Sequence, residues 1–231
     1  MKITKHHRNL LLAMALGDGH VTKPKKYSHN PQLRIEHSEQ QKEYLEWKVN
    51  LLPKKWRSDL HKRVKSYTYK NVNSELVSYW FRTQSLPQLK LLRRILYGKT
   101  RNRKIITPKM LERIGEFGIM IWYMDDGNLH DRGVGRGYQL RLYTFQTKEE
   151  NQKLIDFFKQ KYQINFYQSK RNGKYILECG SSNTKRFISL FKDFSKPECM
   201  KYKFDVVDSK YSKHSTYNRK RALQNAGEDI V

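Results

Sequence analysis

LLAMALGDG, from Leu11 to Gly19, and IMIWYMDDG, from Ile119 to Gly127, are two renderings of one nine-residue pattern: an apolar helical run that delivers an aspartate, Asp18 or Asp126, ahead of a glycine. The glycines read as helix stops. The acids stand in an unfavourable place, because the last turn of a helix presents unpaired carbonyls and the negative end of the macrodipole, which favour cations. Two acids placed this way, 108 residues apart, point to a task other than stability.

The segments downstream of the two acids are alike, so the chain reads as one unit used twice. After Asp18 and a basic loop (Lys23, Lys25, Lys26) comes the alternating stretch QLRIEHS, Gln32 to Ser38; after Asp126 and a loop from His130 to Gly137 comes YQLRLYTF, Tyr138 to Phe145. Period-two alternation predicts a strand in each case. Both strands run into a predicted capping box, Ser38 with Gln41 and Thr147 with Glu150, each opening a helix. In the first helix Tyr44, Trp47, Lys48, Leu51 and Leu52 fall at helical spacing; in the second Leu154, Phe157, Phe158, Lys161 and Tyr162 do so. Two more strands come next in each half, Arg63–Asn71 and Val77–Thr83, then Ile164–Lys170 and Lys174–Gly180, with Asn172-Gly173 as a hairpin turn. Helices through Leu89, Leu92 and Leu96, and through Phe187, Phe191 and Phe194, close the halves. The second motif helix is announced by Thr107 as N-cap and Pro108 at its first position, with Leu111, Ile114, Gly118 and Trp122 on one face. The boundaries expected are a first half at 1–97, a basic linker at 98–105, a second half at 106–210 and a basic tail at 211–231 without apolar periodicity.

Composition narrows the partner. Forty-seven Lys and Arg against 22 Asp and Glu give a formal charge of +25, far from what solubility requires. The cations are spread through the chain among 15 Tyr and 4 Trp, which favours an extended nucleic-acid surface over a membrane-binding helix. Cys179 and Cys199 are the only cysteines and form no CxxC pair, so neither a disulfide scaffold nor a zinc finger is supported and a reducing, intracellular compartment is expected. Lys2, Lys5 and Arg8 before Leu10–Leu16 imitate a signal peptide, but the same kind of segment recurs internally and is read as a motif helix. No run of 18 apolar residues is present to span a membrane. Gly133, Gly135 and Gly137 with Arg132 and Arg136 lack the strand-loop-helix context of a nucleotide loop and read as a DNA-contacting loop, while His20 and His130 read as loop residues without zinc-ligand spacing.

Two pseudo-symmetric halves are reconciled most simply if the motif helices pack side by side and bring the two carboxylates to the centre, with Ala13, Ala15, Gly17, Gly115 and Gly118 small enough for close approach. Adjacent carboxylates repel unless a cation lies between them, and hard oxygen ligands facing phosphate suit Mg²⁺. Such ions generate a hydroxide nucleophile and stabilise the leaving oxygen of an in-line phosphodiester displacement.

At these residues the chain resembles the monomeric, double-motif LAGLIDADG homing endonucleases. The second copy, Trp122 to Gly127, fits the family particularly well, and the likeness runs from about residue 7 to about residue 207 through Ile106-Thr107-Pro108, YTFQTKEE (Tyr143 to Glu150) and PECMKYK (Pro197 to Lys203). The first copy departs from consensus in Met14, Leu16 and Gly17 but keeps the final acid. The resemblance implies an α+β fold of two αββαββα-like halves, each a curved antiparallel sheet with helices on one face. It implies Asp18 and Asp126 as metal-binding catalytic acids, one per strand, with Asp125 a neighbour and not a ligand, and Lys203 and Lys104 as basic residues near the scissile phosphates. Mg²⁺ is the implied cofactor, with Mn²⁺ as a substitute, and the product a double-strand break with short 3′ overhangs. The sheets' polar faces are then expected in the major groove, carrying Gln32, Arg34, Glu36, Gln139, Arg141 and Tyr143, with Lys65, Tyr67, Lys70, Arg82, Arg132, Arg136, Lys170, Arg171 and Lys174 as further DNA contacts. Two different half-surfaces imply an asymmetric duplex target and a monomer. The alternative is a non-cleaving binder on the same scaffold, an intron RNA maturase or a DNA-binding regulator; retention of both acids favours the enzyme.

Overall fold

The computed structural model describes residues 3–24, 30–69, 72–98, 103–133 and 136–206. Helix α1 (Lys5–Leu16) starts at Thr4, whose hydroxyl accepts from the His7 amide, and its second half from Leu10 to Leu16 is buried on every side. Strands β1 (His20–Val21) and β2 (Leu33–Ser38), helix α2 (Lys42–Asn50), strands β3 (His61–Tyr69) and β4 (Val72–Arg82) and helix α3 (Gln88–Tyr97) complete the first set. The second set is α4 (Pro108–Asp126), β5 (Gly127–Asp131), β6 (Tyr138–Leu142), α5 (Lys148–Tyr162), β7 (Tyr167–Arg171), β8 (Lys174–Cys179) and α6 (Ser181–Ser189), followed by a 3₁₀ segment at Glu198–Lys203. Each set forms one antiparallel four-stranded sheet, and the strand orders, β1-β2-β4-β3 and β5-β6-β8-β7, are the same. The α+β repeat is therefore real at the level of topology.

The residues pack as two compact units, one running through Asp125 with Pro197–Cys199 added, the other comprising Asp126–Lys196 with the segment from Met200. Helix α4 belongs to the first because it lies against α1: a Cβ on Gly118 would stand 3.1 Å from the Ala13 Cβ. The core of the first unit also holds Leu33, Ile35 and Phe81 from the sheet with Tyr44 and Leu45 from α2, all fully buried. The second unit has an aromatic core in which Phe158, Phe166, Phe187 and Phe191 meet at ring separations of 5.0–5.9 Å.

Several local expectations need correction. Each sheet has a short first strand, β1 or β5, directly after the motif glycine, so His20 and His130 are strand residues and not loop residues. The Thr147–Glu150 capping box forms with both reciprocal bonds, but Ser38 caps nothing with its side chain; Gln41 is instead engaged by His37 Nδ1 at 3.1 Å. Helix α6 stops at Ser189, and Phe191 reaches the core from the turn beyond it. Gly115 does not serve close packing: it interrupts α4 with φ 61° and ψ −169°, and nothing lies within 4 Å of where its Cβ would be. Lys25, Lys26, Lys70, Gly135, residues 99–102 of the linker and the tail lie outside the described residues.

Candidate functional site

The first acid is set by its neighbours on α4. Asp18 comes after α1, past the cap Gly17, and its backbone N–H donates to Asp125 Oδ2 at 3.0 Å. A Cβ on Gly17 would overlap the Asp125 carboxylate, which explains why the first motif carries glycine where the second carries an acid. The Asp125 side chain has no exposed surface; it accepts from the Tyr44 hydroxyl at 2.7 Å and from the Lys48 ammonium, itself fully buried. Burial alone would push the Asp125 carboxyl up; Lys48 and His37 outweigh it, with hydrogen bonds from Lys48 and Tyr44, and hold it below the usual carboxylate range. His37, 5% exposed, stands between the groups, its Nδ1 3.6 Å from Asp18 Oδ2 and its Nε2 3.2 Å from Lys48 Nζ.

Asp18, His37 and Asp125 offer ligand atoms within 4.8 Å of one another. Their chemistry divides them. Asp125 is already neutralised by Lys48 and saturated by hydrogen bonds, which suits a structural acid, whereas the Asp18 side chain keeps 40% of its surface and presents a hard oxygen donor outward. Asp18 fits a hydrated divalent cation; Asp125 does not. In the second unit Asp126 ends α4 half-buried, and its carbonyl accepts from the Tyr143 amide at 2.9 Å.

A lysine comes to each motif from elsewhere in the chain. Neither α1 nor α4 has a basic residue in its last turn. Lys104, from the segment before α4, donates to the Gly17 carbonyl, and Lys203, 6% exposed in the 3₁₀ segment, donates to the Gly127 carbonyl at 2.9 Å. Each ammonium thus sits one peptide from the acid, at the helix end where a cation is favoured.

Strand register decides which of the other candidate residues share a surface. Residues directly opposite in a ladder point to one face. In the first sheet the pairs His20–Arg34, Arg34–Arg82, Glu36–Trp80, His61–Trp80, Arg63–Ser78, Lys65–Leu76 and Tyr67–Ser74 place Arg34, Glu36, Lys65, Tyr67 and Arg82 together, opposite the buried Leu33 and Ile35. Gln32 extends the alternation from just before β2. Arg34 lies directly opposite Arg82 in the ladder, with the Glu36 carboxylate at 2.8 Å from Arg34 Nη2. His20 stays below its ordinary value through burial, then through Arg93, Lys104 and Arg34.

In the second sheet the pairs Asn128–Arg141, His130–Gln139, Arg141–Glu178, Tyr167–Glu178 and Arg171–Lys174 gather Gln139, Arg141, Arg171 and Lys174. Lys170 pairs with Tyr175 on the opposite face, since consecutive strand residues cannot share one. Tyr143 lies just beyond β6, and Arg132 and Arg136 are exposed on the loop between β5 and β6.

The residues that sequence reasoning missed are His37 beside Asp18, Tyr44 and Lys48 on Asp125, and Arg63 and Glu178 on the sheet faces. Lys48 left a signal, being a lysine at an apolar position of an amphipathic helix.

Comparison with known proteins bears on the family and the fold. The sequence model of the LAGLIDADG DNA endonuclease family matches residues 8–187. The solved structure of the homing endonuclease I-WcaI bound to its DNA recognition sequence superposes with a TM-score of 0.71 at 22% identity, over 90% of this chain and 89% of that one. Among curated proteins, Protein RecA of Mycolicibacterium flavescens is 24% identical over 212 residues, covering 87% of this chain and 47% of that protein. The chain thus spans about half the length of that relative. A probable intron-encoded DNA endonuclease 3 of Mycosarcoma maydis is 24% identical over 57% of this chain and 96% of its own length. With both acids and both sheets inside the matched region, the chain belongs to the LAGLIDADG DNA endonuclease family.

Proposed function

We propose that this chain is a site-specific DNA endonuclease of the homing type, which makes a double-strand break in a long, asymmetric duplex by Mg²⁺-dependent phosphodiester hydrolysis. The observation that carries the reading is the pairing of acid and lysine at each motif: Asp18 beside Lys104 on the Gly17 carbonyl, Asp126 beside Lys203 on the Gly127 carbonyl. Asp18 and Asp126 would each hold a cation, one for each strand. When bound, Mg²⁺ or a substituting Mn²⁺ lowers the pKa of water and stabilises the charge on the leaving oxygen. The acids position the attacking water against phosphorus; one P–O bond forms from that water as one P–O bond to a sugar oxygen breaks. Lys104 and Lys203 supply positive charge beside the phosphate as negative charge builds up. The polar sheet faces read bases, Arg34 and Arg141 suiting guanine and Gln32 and Gln139 adenine, while Lys65, Arg82, Arg132, Arg136 and Lys174 hold the backbone. The protein acts as a monomer in an intracellular compartment, and the cut leaves short 3′ overhangs.

The test is incubation with Mg²⁺ and a pool of long randomised duplexes, with sequencing of the ends produced. Cleavage of both strands at one recurring site is expected; retention of bound duplexes with no cut on either strand would favour a non-cleaving binder of DNA or intron RNA.

A further inference from the structure

Resting on the DNA-reading assignment above, we propose that Glu36 and Glu178 are specificity-determining residues that act through arginines, each carboxylate clamping two guanidiniums from different strands for guanine recognition. A carboxylate on a surface meant for a polyanion opposes binding, so its presence needs a reason. In the first sheet Glu36 accepts from Arg34 Nη2 at 2.8 Å, from Arg63 Nη1 at 3.2 Å to both oxygens and from the Ser78 hydroxyl at 2.8 Å. Arg34 also lies 4.5 Å over the Trp80 ring, on which His61 stacks at 4.4 Å. In the second sheet Glu178 accepts from Arg141 Nε at 3.0 Å and from Arg171 Nη2 and Nε at 3.1 and 3.3 Å. Arg141 Nη2 donates onward to Gln139 Oε1 at 3.0 Å, and the Gln139 amide to the Tyr167 hydroxyl at 2.8 Å.

The burial pattern assigns the roles. The Glu178 side chain is only 3% exposed, beneath Arg141 at 18% and Arg171 at 46%, so the acid is covered and the arginines are presented. A guanidinium carries five N–H donors in one plane; the clamp uses one or two and fixes the rest, which a guanine edge can take in pairs. Fixing the fork beforehand removes an ordering cost from binding. The first sheet places its carboxylate on β2 and the second on β8, so the same device is built from non-equivalent positions of the repeat.

The experiment first lets the wild-type chain select duplexes from a randomised pool, then measures binding of wild type, Glu178→Asp and Glu178→Gln to every single-base-pair variant of the selected site. Thermal unfolding confirms the fold of each protein. Glu178→Asp keeps the charge but withdraws the carboxylate by one methylene: discrimination should fall about tenfold at a short block of base pairs, with affinity for random duplex changed by less than about twofold. Glu178→Gln removes a negative charge and should tighten random-duplex binding. Glu36→Asp, on a carboxylate 30% exposed, should relax a different block. Unchanged discrimination in both Asp variants, or an even loss of affinity across the panel, overturns the inference alone. A wild-type chain that selects no sequence overturns the DNA-reading assignment and the inference with it.

Discussion

At the scale of single residues, the acid that does not face outward is the one most firmly held. Asp125 and Lys48 form an ion pair with both side chains fully buried, and such a pair is costly to break from one side because the other charge is stranded. Lys48→Ala should destabilise the protein by about 3–5 kcal/mol in denaturant unfolding, and Lys48→Ala with Asp125→Leu should recover part of that loss. Glu36 ties stability to pH. Burial raises its carboxyl, but Ser78, Arg63 and Arg34 outweigh it and leave the folded value below the usual 4.5. Its network therefore contributes stability above about pH 4.5 that is lost as pH falls through the lower folded value. The difference in melting temperature between wild type and Glu36→Gln should be present near pH 7 and shrink as pH falls from about 5 towards 2. Asp18 and Asp126 stood out as candidate acids because a helix C-terminus is an unfavourable place for a carboxylate. Lys48 and His37 were not, since their partner Asp125 lies 77 and 88 residues away and no local pattern joins them.

Among the elements, the strands with strict alternation were the most legible: β2 and β6 bury Leu33, Ile35, Leu140 and Leu142 and turn Arg34, Glu36, Gln139 and Arg141 the other way. Strands β1 and β5 were hidden, because two to five residues carry no readable period. The Ser38 box lost out to a local competitor, His37 taking the Gln41 side chain four residues on. Glycine needs conformation as well as spacing to be read correctly. Gly118 approaches Ala13, whereas Gly115 has open space but a backbone that L side chains avoid, with φ 61° and ψ −169°. Gly115→Ala should therefore cost about 1–3 kcal/mol in unfolding free energy, although a methyl group there would touch nothing. A substitution without effect would show that α4 can run straight.

For the whole molecule, the charge of +25 describes a chain suited to a polyanion. Duplex binding should weaken by about 10³-fold or more between roughly 50 and 200 mM salt, as counterions released by many phosphate contacts are no longer gained; a flat response would contradict an extended basic surface. The repeat was legible because the two motifs align and the segments after them run in register. The grouping of α4 with the first compact unit was not, since it depends on how helices pack and not on where the repeat begins. The central claim is that the motif acids, Asp18 and Asp126, carry the chemistry. It is tested most directly by Asp18→Asn and Asp126→Asn, assayed for binding and for cleavage of a selected duplex in Mg²⁺. Each should bind as well as the wild type or better while double-strand cleavage falls by about 10³-fold or more, the several kcal/mol a metal site supplies; weakened binding with surviving cleavage would contradict the account.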